Sequence, residues 1–252
     1  MGSFRLNRVN GPLLQPSPEN QWESGAVFNP GTVRIGDQVN MLYRAVYGDN
    51  YSSIGYARLS PDGRIIYKSD APVIVSESEI EKRGCEDPRI VLFEGTYYIF
   101  YTGFDGTDAA RSINTRVMMA ETADFVKFRK IGMVGPDDND KDAMIFSEKI
   151  GNKVYFIHRI VPNIQIAVFD DLQEFIHPHK NYWPDHLSNI GKHTLMGREQ
   201  SWEVMKIGAG PPPIRTDAGW LLIYHGVDER KVYRSGAALL KENDPTQVIA
   251  RL

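Results

Sequence analysis

Four segments of the chain repeat one pattern, in which a strand, a tight turn and a second strand follow each other. The first segment reads NPGTVRIGDQVNMLYRAV and the second reads EDPRIVLFEGTYYIFYTGF. Each turn holds a Gly, Asn or Asp of the kind that two-residue hairpins need for positive φ. Each second strand is rich in aromatic and β-branched residues, which favour strands. Antiparallel hairpins are therefore predicted at residues 29–46, 86–104, 141–160 and 208–227.

A third run containing Ala, and then an Asp-bearing turn, follows each hairpin, so the predicted unit is a meander of three or four strands. Equivalent hairpin positions are Arg44, Thr102, Arg159 and His225, at spacings of 58, 57 and 66 residues. Antiparallel units at such a period favour a β-propeller over a β-sandwich. We predict an all-β fold in a single propeller domain over 1–252. The predicted repeats span 29–62, 86–125, 141–171 and 208–245.

The composition limits what the protein binds and where it acts. A formal net charge of −3 lacks the basic excess that nucleic acids and anionic membranes attract. No run approaches the roughly 18 apolar residues that span a membrane, and the N-terminus lacks the apolar stretch of a signal peptide. The one cysteine, Cys85, fits a reducing compartment. We predict a cytoplasmic protein without nucleic-acid or membrane partners.

Polar residues recur at equivalent places in the predicted hairpins. Asn29 and Asp87 each precede the equivalent second-strand position by 15 residues, and Asp142 precedes it by 17 residues. In a propeller the innermost strands surround the axis, so equivalent positions from all blades converge at one mouth. A polar binding site is therefore predicted at that mouth, with these three residues in its wall.

The charges of this predicted site suit an anion and glycoside chemistry. Arg44, Arg159 and His225 form a cationic set that fits phosphate, which Arg binds bidentately. Carboxylates beside aromatic residues are typical of glycoside-cleaving sites. Glu86 and Arg89 have a second interpretation, as a structural tie between repeats. The segment 137–142 lacks the Gly that a calcium loop requires at its sixth position, so no metal site is predicted.

Several motifs together resemble glycoside hydrolase family 130. The similarity is carried by NPG with a later LYRA, EDPRI with YTGFDG, KDAMIFSEKI with HR, and GAGPPPI with GWLLIYHGVD and YRSGAALL. It runs from about residue 11 to 252. The resemblance implies a five-bladed propeller and an inverting enzyme. Phosphate would attack the anomeric carbon of a terminal β-mannosyl unit and release α-mannose 1-phosphate. The expected substrate is a β-1,2-linked oligomannoside.

The resemblance also implies roles for individual residues. Asp87 would be the general acid, passing its proton through a sugar hydroxyl to the glycosidic oxygen. The expected contacts to the mannoside are Asn29, Arg44, Glu86, Asp105, Asp142 and Asp228. The expected contacts to phosphate are Lys141, Arg159, His225 and Tyr233. No cofactor is expected beyond phosphate as co-substrate, and a homo-oligomer is left open.

Two departures from the family keep other functions open. A basic phosphate-binding residue is expected near Glu203, and an acid there would repel phosphate and act as a base for water. The repeats account for four blades, so the fifth is expected to be incomplete in this chain. The alternatives are therefore a β-1,2-mannosidase, which is a hydrolase, and a non-catalytic carbohydrate-binding propeller.

Overall fold

The computed structural model describes residues 11–106 and 114–252. Strands dominate these residues, and the all-β prediction is confirmed. Among the described helices, none is both long enough and apolar enough to cross a membrane. The predicted repeat 86–125 includes residues 107–113, which lie outside the described residues.

The first two units are runs of four antiparallel strands that share one sheet. A single parallel bridge, between Ser52 and Gly84, joins the two units. The strands of the first unit are β1 (Ala26–Ile35), β2 (Gln38–Tyr47), β3 (Tyr51–Leu59) and β4 (Ile65–Lys68). The strands of the second unit are β5 (Gly84–Phe93), β6 (Thr96–Phe104), β7 (Thr115–Thr122) and β8 (Arg129–Met133).

The third and fourth units each form a separate antiparallel sheet. The strands of the third unit are β9 (Asp140–Ile145), β10 (Val154–Ile160), β11 (Ile164–Phe169) and β12 (Thr194–Met196). The strands of the fourth unit are β13 (Lys206–Ala209), β14 (Ile214–Thr216), β15 (Gly219–Val227), β16 (Tyr233–Lys241) and β17 (Asp244–Arg251).

Helices are short and stand between strands. Two α-helices, α1 (Leu172–Ile176) and α2 (Tyr182–Ser188), separate β11 from β12. The 3-10 helices span Gln21–Glu23, Glu79–Glu81 and Ile190–His193. The first two precede β1 and β5, so equivalent segments lead into the first and second units.

The predicted hairpins are confirmed by the strand pairing. Within the predicted segments, β1 pairs with β2, β5 with β6, β9 with β10, and β13 with β15. The predicted turns have positive φ, with values of 58° at Gly36, 83° at Gly95 and 130° at Gly219. Glycine adopts this conformation without the steric cost that a Cβ brings. Local sequence therefore determines where each hairpin reverses.

Three units share a buried arrangement in which a tyrosine and a Lys or Arg donate hydrogen bonds to one carboxylate. This arrangement is called a tie. In the first unit the hydroxyl of Tyr43 donates to Glu23, which also accepts from Lys68. In the second unit, Tyr101 and Lys130 donate to Glu81 in the same way.

The fourth unit holds the same tie, in which Tyr224 donates to Glu203 at 2.7 Å and Arg251 donates to it at 2.7 Å. Glu203 is fully buried, and the backbone N–H groups of Glu199 and Gln200 also donate to it. Burial raises the pKa of this carboxyl, but the hydrogen bonds outweigh burial and hold the pKa below its ordinary value. Each tie therefore pairs a buried carboxylate completely, as burial of a charge requires.

We predict that Glu203→Ala lowers the free energy of unfolding by about 3–5 kcal/mol, because it removes the buried partner of Arg251 and leaves only the exposed Glu199 to pair with that charge. Chemical denaturation measures this loss. The matched control is Glu199→Ala, since Glu199 is exposed and also pairs with Arg251, at 3.4 Å. The control should lose no more than about 1 kcal/mol. Equal, small losses in both variants would contradict a stabilising role for Glu203.

Candidate functional site

The first strands of three units bulge at the same place. Two residues, Asn29 and Pro30, stand between the paired positions Phe28 and Gly31 of β1. The same irregularity follows Glu86 in β5 and Lys141 in β9. An extra residue in one strand re-aims its side chain, which is why bulges are frequent beside functional sites.

Each bulge begins with a residue of positive φ. The values are 47° at Asn29, 53° at Asp87 and 53° at Asp142. Asn and Asp tolerate this left-handed conformation better than other residues that carry a Cβ. The repeated register inferred from the sequence is confirmed, and its physical basis is a shared bulge. In the fourth unit the pairing of Gly208 with His225 and of Ala209 with Tyr224 is regular.

Asp87 lies on the wall of a cavity and is held through one of its oxygens. Its Oδ1 accepts from Asn29 Nδ2 at 2.9 Å and from Arg44 Nη1 at 3.3 Å. Within the described ranges, no hydrogen bond reaches Oδ2. The side chain is 17% exposed, so the carboxylate is positioned by protein groups and remains open on one side.

Glu86 and Arg44 lie behind this wall rather than on it. Glu86 is buried, and it accepts from Arg44 Nη2 at 2.7 Å and from Lys141 Nζ at 3.0 Å. It therefore joins strands of the first, second and third units. Glu86 is not among the residues that line the cavity, so its expected contact to the mannoside stays a prediction. The alternative interpretation of Glu86, a structural tie, is confirmed.

Asp142 is the centre of a second charge cluster. Its Oδ1 accepts from Arg89 Nη2 at 2.7 Å, and its Oδ2 lies 3.1 Å from Arg159 Nε. His225 Nε2 lies 3.7 Å from the same Oδ2. Burial raises the pKa of the Asp142 carboxyl, but the positive charges of Arg159 and Arg89 lower it by more. The pKa therefore lies well below its ordinary value. Asp142 is therefore ionised at neutral pH.

Arg89 links this cluster to the fourth unit. Its guanidinium donates to the carbonyl of Gly210 at 2.8 Å and to that of Ala209 at 3.0 Å. It also donates to the Asp87 carbonyl within its own bulge, at 3.1 Å. One side chain thus connects the Asp87 bulge, the Asp142 carboxylate and the backbone that precedes the prolines at 211–213.

A cavity of about 720 Å³ opens over both clusters. Seven of the predicted site residues line it, and they come from all four units: Asn29, Asp87, Lys141, Asp142, Arg159, His225 and Tyr233. The sequence-based prediction that these residues converge is confirmed. Among the described residues, no group of three or more His, Cys, Asp and Glu side chains is arranged to hold a metal ion.

His225, Tyr233 and Lys206 form one side of the cavity. Burial lowers the pKa of His225 against the raising effect of Asp142, so the predicted cationic set includes a largely neutral imidazole. The ring of Tyr233 is 5.4 Å from that of His225, and Tyr233 is 59% exposed. Lys206 Nζ lies 5.7 Å from the centre of the Tyr233 ring. This side presents one cation and an exposed aromatic face.

Two predicted contacts lie outside the cavity. Asp228 accepts from the backbone of Arg230 and Val232 and pairs with Arg234 at 2.6 Å, which is the pattern of a turn carboxylate. Asp105 lies 3.8 Å from Arg116. Neither residue is among those that line the cavity, so the expected contacts of Asp228 and Asp105 with a mannoside stay predictions.

Glu203 is also absent from the cavity wall. Its fully buried carboxylate accepts four hydrogen bonds, so neither oxygen is free to take a proton from water. The prediction of a base at Glu203 is wrong. A basic residue, Lys206, follows three positions later and lines the cavity. The pair Trp22–Glu23 before the first unit, repeated as Trp202–Glu203, is the sequence signal that would have identified the tie.

Comparison with known proteins identifies the family. The model of glycoside hydrolase family 130, described as beta-1,4-mannooligosaccharide phosphorylase, matches residues 5–252. The chain belongs to this family.

Two relatives are named for β-1,2-linked mannosides, whereas the family description names the β-1,4 linkage. A 1,2-beta-oligomannan phosphorylase from Thermoanaerobacter sp. (strain X514) is 40% identical over 98% of this chain and 80% of its own length. A beta-1,2-mannobiose phosphorylase from the same strain is also 40% identical, over 98% of this chain and 81% of its own length.

Solved structures show the same fold. A glycosyl hydrolase from Bacteroides ovatus superposes with a TM-score of 0.79 at 25% identity, covering 100% of this chain and 79% of its own. The beta-1,2-mannobiose phosphorylase from Listeria innocua, solved with beta-1,2-mannobiose, superposes with a TM-score of 0.71 at 25% identity. It covers 89% of this chain and 74% of its own.

Proposed function

We propose that the protein is an inverting glycoside phosphorylase that cleaves β-mannosides, in particular β-1,2-linked mannooligosaccharides. Phosphate attacks the anomeric carbon, the bond to the glycosidic oxygen breaks, and α-mannose 1-phosphate leaves. The leaving hydroxyl receives a proton that originates from Asp87. The β-1,2 linkage is favoured by the two relatives of 40% identity, which are named for it.

The observation that carries this proposal is the incomplete hydrogen bonding of the Arg159 guanidinium. The residue is 5% exposed and lines the cavity, yet its Nη1 has no hydrogen-bond partner among the described residues. Its Nε lies 3.1 Å from Asp142 Oδ2, in an ion pair that is not aligned as a hydrogen bond. Buried donors that stay unpaired are costly, so such a group indicates a missing acceptor. A phosphate oxyanion fits this need because Arg binds it with two parallel hydrogen bonds.

Asp87 supports the second half of the proposal. Asn29 and Arg44 fix Oδ1 in place, while Oδ2 is available to hand a proton to a sugar hydroxyl. The carboxylate stands on a bulge whose Pro88 is buried at the start of an apolar strand, so its support is rigid. A positioned carboxylic acid in a cavity is the arrangement that general acid catalysis requires.

Hydrolysis is the weaker alternative. A hydrolase needs a base to activate water, and Glu203 is buried away from the cavity. Phosphate is already an anionic nucleophile and needs no such base. A non-catalytic carbohydrate-binding role would leave the open oxygen of Asp87 and the unpaired Nη1 of Arg159 without purpose.

We further propose that the four units are blades of a five-bladed propeller, of which the fifth is incomplete in this chain. Support comes from the repeated bulge and from a cavity lined by all four units. The described sheets do not close on one another. A single domain, a cytoplasmic location, the lack of a cofactor beyond phosphate and a homo-oligomer stay predictions.

The test of the function is an assay with β-1,2-mannobiose, with and without phosphate, and with β-1,4-mannobiose in parallel. We expect mannose 1-phosphate to form only when phosphate is present, and faster from the β-1,2-linked substrate. Chromatography of the products identifies them. Free mannose without phosphate would indicate a hydrolase, and binding without turnover would indicate a carbohydrate-binding protein.

Asp87→Asn should lower turnover by about 100-fold or more, the usual scale for loss of a general acid. The amide oxygen still accepts from Asn29 and Arg44, so mannoside binding and folding should persist. Steady-state kinetics on β-1,2-mannobiose measures the change.

A substrate with an activated leaving group needs less protonation, so an aryl β-mannoside should lose much less rate in the same variant. Asp62→Asn, at an exposed turn, is the control and should behave as the wild type. A folded Asp87→Asn protein with near-normal turnover on mannobiose would leave Asp87 as a structural residue.

Arg159→Ala should raise the KM for phosphate by about tenfold or more, because charge-assisted hydrogen bonds to the anion are lost. The KM for mannobiose should change much less. Arg89 still pairs with Asp142 in this variant, which limits the destabilisation. Arg215→Ala, at the surface, is the control. An equal rise in both KM values would show that Arg159 holds the sugar or the fold rather than phosphate.

A further inference from the structure

The third unit differs from the other three in the residues that lie behind the cavity. In the other units, the tyrosine of the tie comes directly before Arg44, Thr102 or His225 on the second strand of the hairpin. The same place before Arg159 is taken by His158. His158 is fully buried, so the third unit has an imidazole where the other units have a phenol.

The first strand of the third unit differs at the matching place. Asp140 of β9 lies opposite Ile160. By the same strand pairing, its equivalents in the other units are Val27, Cys85 and Ile207. Asp140 is fully buried, so the third unit has a buried carboxyl group where the other units have a side chain of low polarity. Burial of such a group is costly unless it is paired.

Both oxygens of Asp140 have partners. Oδ2 lies 2.9 Å from Nδ1 of His158, and Oδ1 accepts from the backbone N–H of Arg159 at 2.9 Å. His186 of α2 holds His158 in turn, because the Nε2 atoms of the two rings lie 3.0 Å apart and share a hydrogen bond. Asp140, His158 and His186 do not line the cavity. They form a buried chain that ends on the backbone of Arg159.

This chain meets Arg159 at the bulge of the third unit. The pairing of β9 with β10 shifts in register between Ile157 and Arg159. A bulge disrupts the ladder locally, so the direction of a side chain there depends on what else holds the backbone. Lys141 is the strand partner of Arg159, and both line the cavity. Since successive residues face opposite sides of a strand, Asp140 and His158 lie directly behind these two cations.

We propose that Asp140 is a positioning residue of the phosphate site, which acts through Arg159 by fixing its backbone at the bulge. This inference rests on the proposed function, in which Arg159 binds phosphate. Asp140 does not touch the anion, so it contributes geometry rather than charge. It keeps the unpaired Nη1 of Arg159 directed at the place where the anion binds, while His158 and His186 orient the carboxyl group.

Asp140→Val tests this role, because the first unit has Val at the same place. The KM for phosphate should rise about three- to tenfold, the scale of one buried hydrogen bond, while the KM for mannobiose changes by less than about twofold. Steady-state kinetics with each substrate varied in turn measures both constants. A residue that only stabilises the fold would lower the amount of active protein and leave the KM for phosphate unchanged.

Two companion variants show whether the effect passes through Arg159. In Asp140→Asn, the amide oxygen still accepts from the Arg159 N–H and the amide nitrogen donates to the other tautomer of His158, so the KM for phosphate should stay near the wild-type value. In the Arg159→Ala background, Asp140→Val should cause no further rise, because the guanidinium that it positions is gone.

Tyr101→Phe is the matched control, since it removes a buried hydrogen bond from the tie of the second unit and should leave the KM for phosphate unchanged. If Asp140→Val does not fold, the double variant Asp140→Val/His158→Phe decides the matter. It removes the carboxyl group and its imidazole partner together, and apolar replacement of both partners costs less stability than loss of one. The expected rise in the KM for phosphate is the same.

The outcomes separate this inference from the proposed function. If turnover requires phosphate, but a folded variant without the Asp140 carboxyl group keeps the wild-type KM for phosphate, the role of Asp140 is overturned and the phosphorylase stands. An equal rise in Asp140→Asn, or in the Arg159→Ala background, also overturns it, because the effect would not pass through the bond to Arg159. If turnover does not require phosphate, both proposals fail.

Discussion

The guanidinium of Arg89 is the interaction on which the geometry of the cavity depends. It donates to Asp142 of the third unit, to the carbonyls of Ala209 and Gly210 of the fourth unit, and to the Asp87 carbonyl beside it. A buried charge is tolerated only with partners, so the four groups must come together for any of them to be stable. The chain thereby sets the distance between the proposed acid and the proposed phosphate site by pairing charges across units. Arg89 is itself part of the motif that contains Asp87, which ties the acid to the same geometry.

The hairpins of the units carry different chemistry on the two faces of their sheets. On one side, the bulges of three units point Asn29, Asp87 and Asp142 at the cavity. On the other, a tyrosine of the second strand in the first, second and fourth units donates a hydrogen bond to a buried carboxylate, which also pairs with a Lys or Arg. Alternation of side chains along a strand makes this division automatic, since successive residues face opposite sides. Tyr224 and His225 are neighbours in sequence, and one stabilises the fold while the other lines the cavity.

The choice between phosphate and water as nucleophile depends on which charges face the cavity. Lys141, Arg159 and Lys206 are cations on its wall, while Glu203 is withdrawn into a tie. The cations favour an anionic nucleophile, because charge-assisted contacts to an oxyanion are the strongest hydrogen bonds available to a protein. His225 contributes differently. Burial holds it largely neutral, so it offers a donor or an acceptor rather than a charge.

The sequence by itself determined the hairpins, their turns and the equivalence of Asn29, Asp87 and Asp142. These features are local, since turn residues, alternation and fixed spacings act over a few positions. It did not reveal that Glu86 and Glu203 are buried ties, that Asp228 serves a turn, or that Lys206 reaches the cavity. Only the tertiary structure decided these roles, because a charge is defined by its partner, and the partners are far away in sequence. Arg89 and Gly210 are 121 residues apart, and Lys141 and Glu86 are 55 apart. The physical reason is that burial removes water as the alternative partner, so the packing of separate units determines which charge pairs with which.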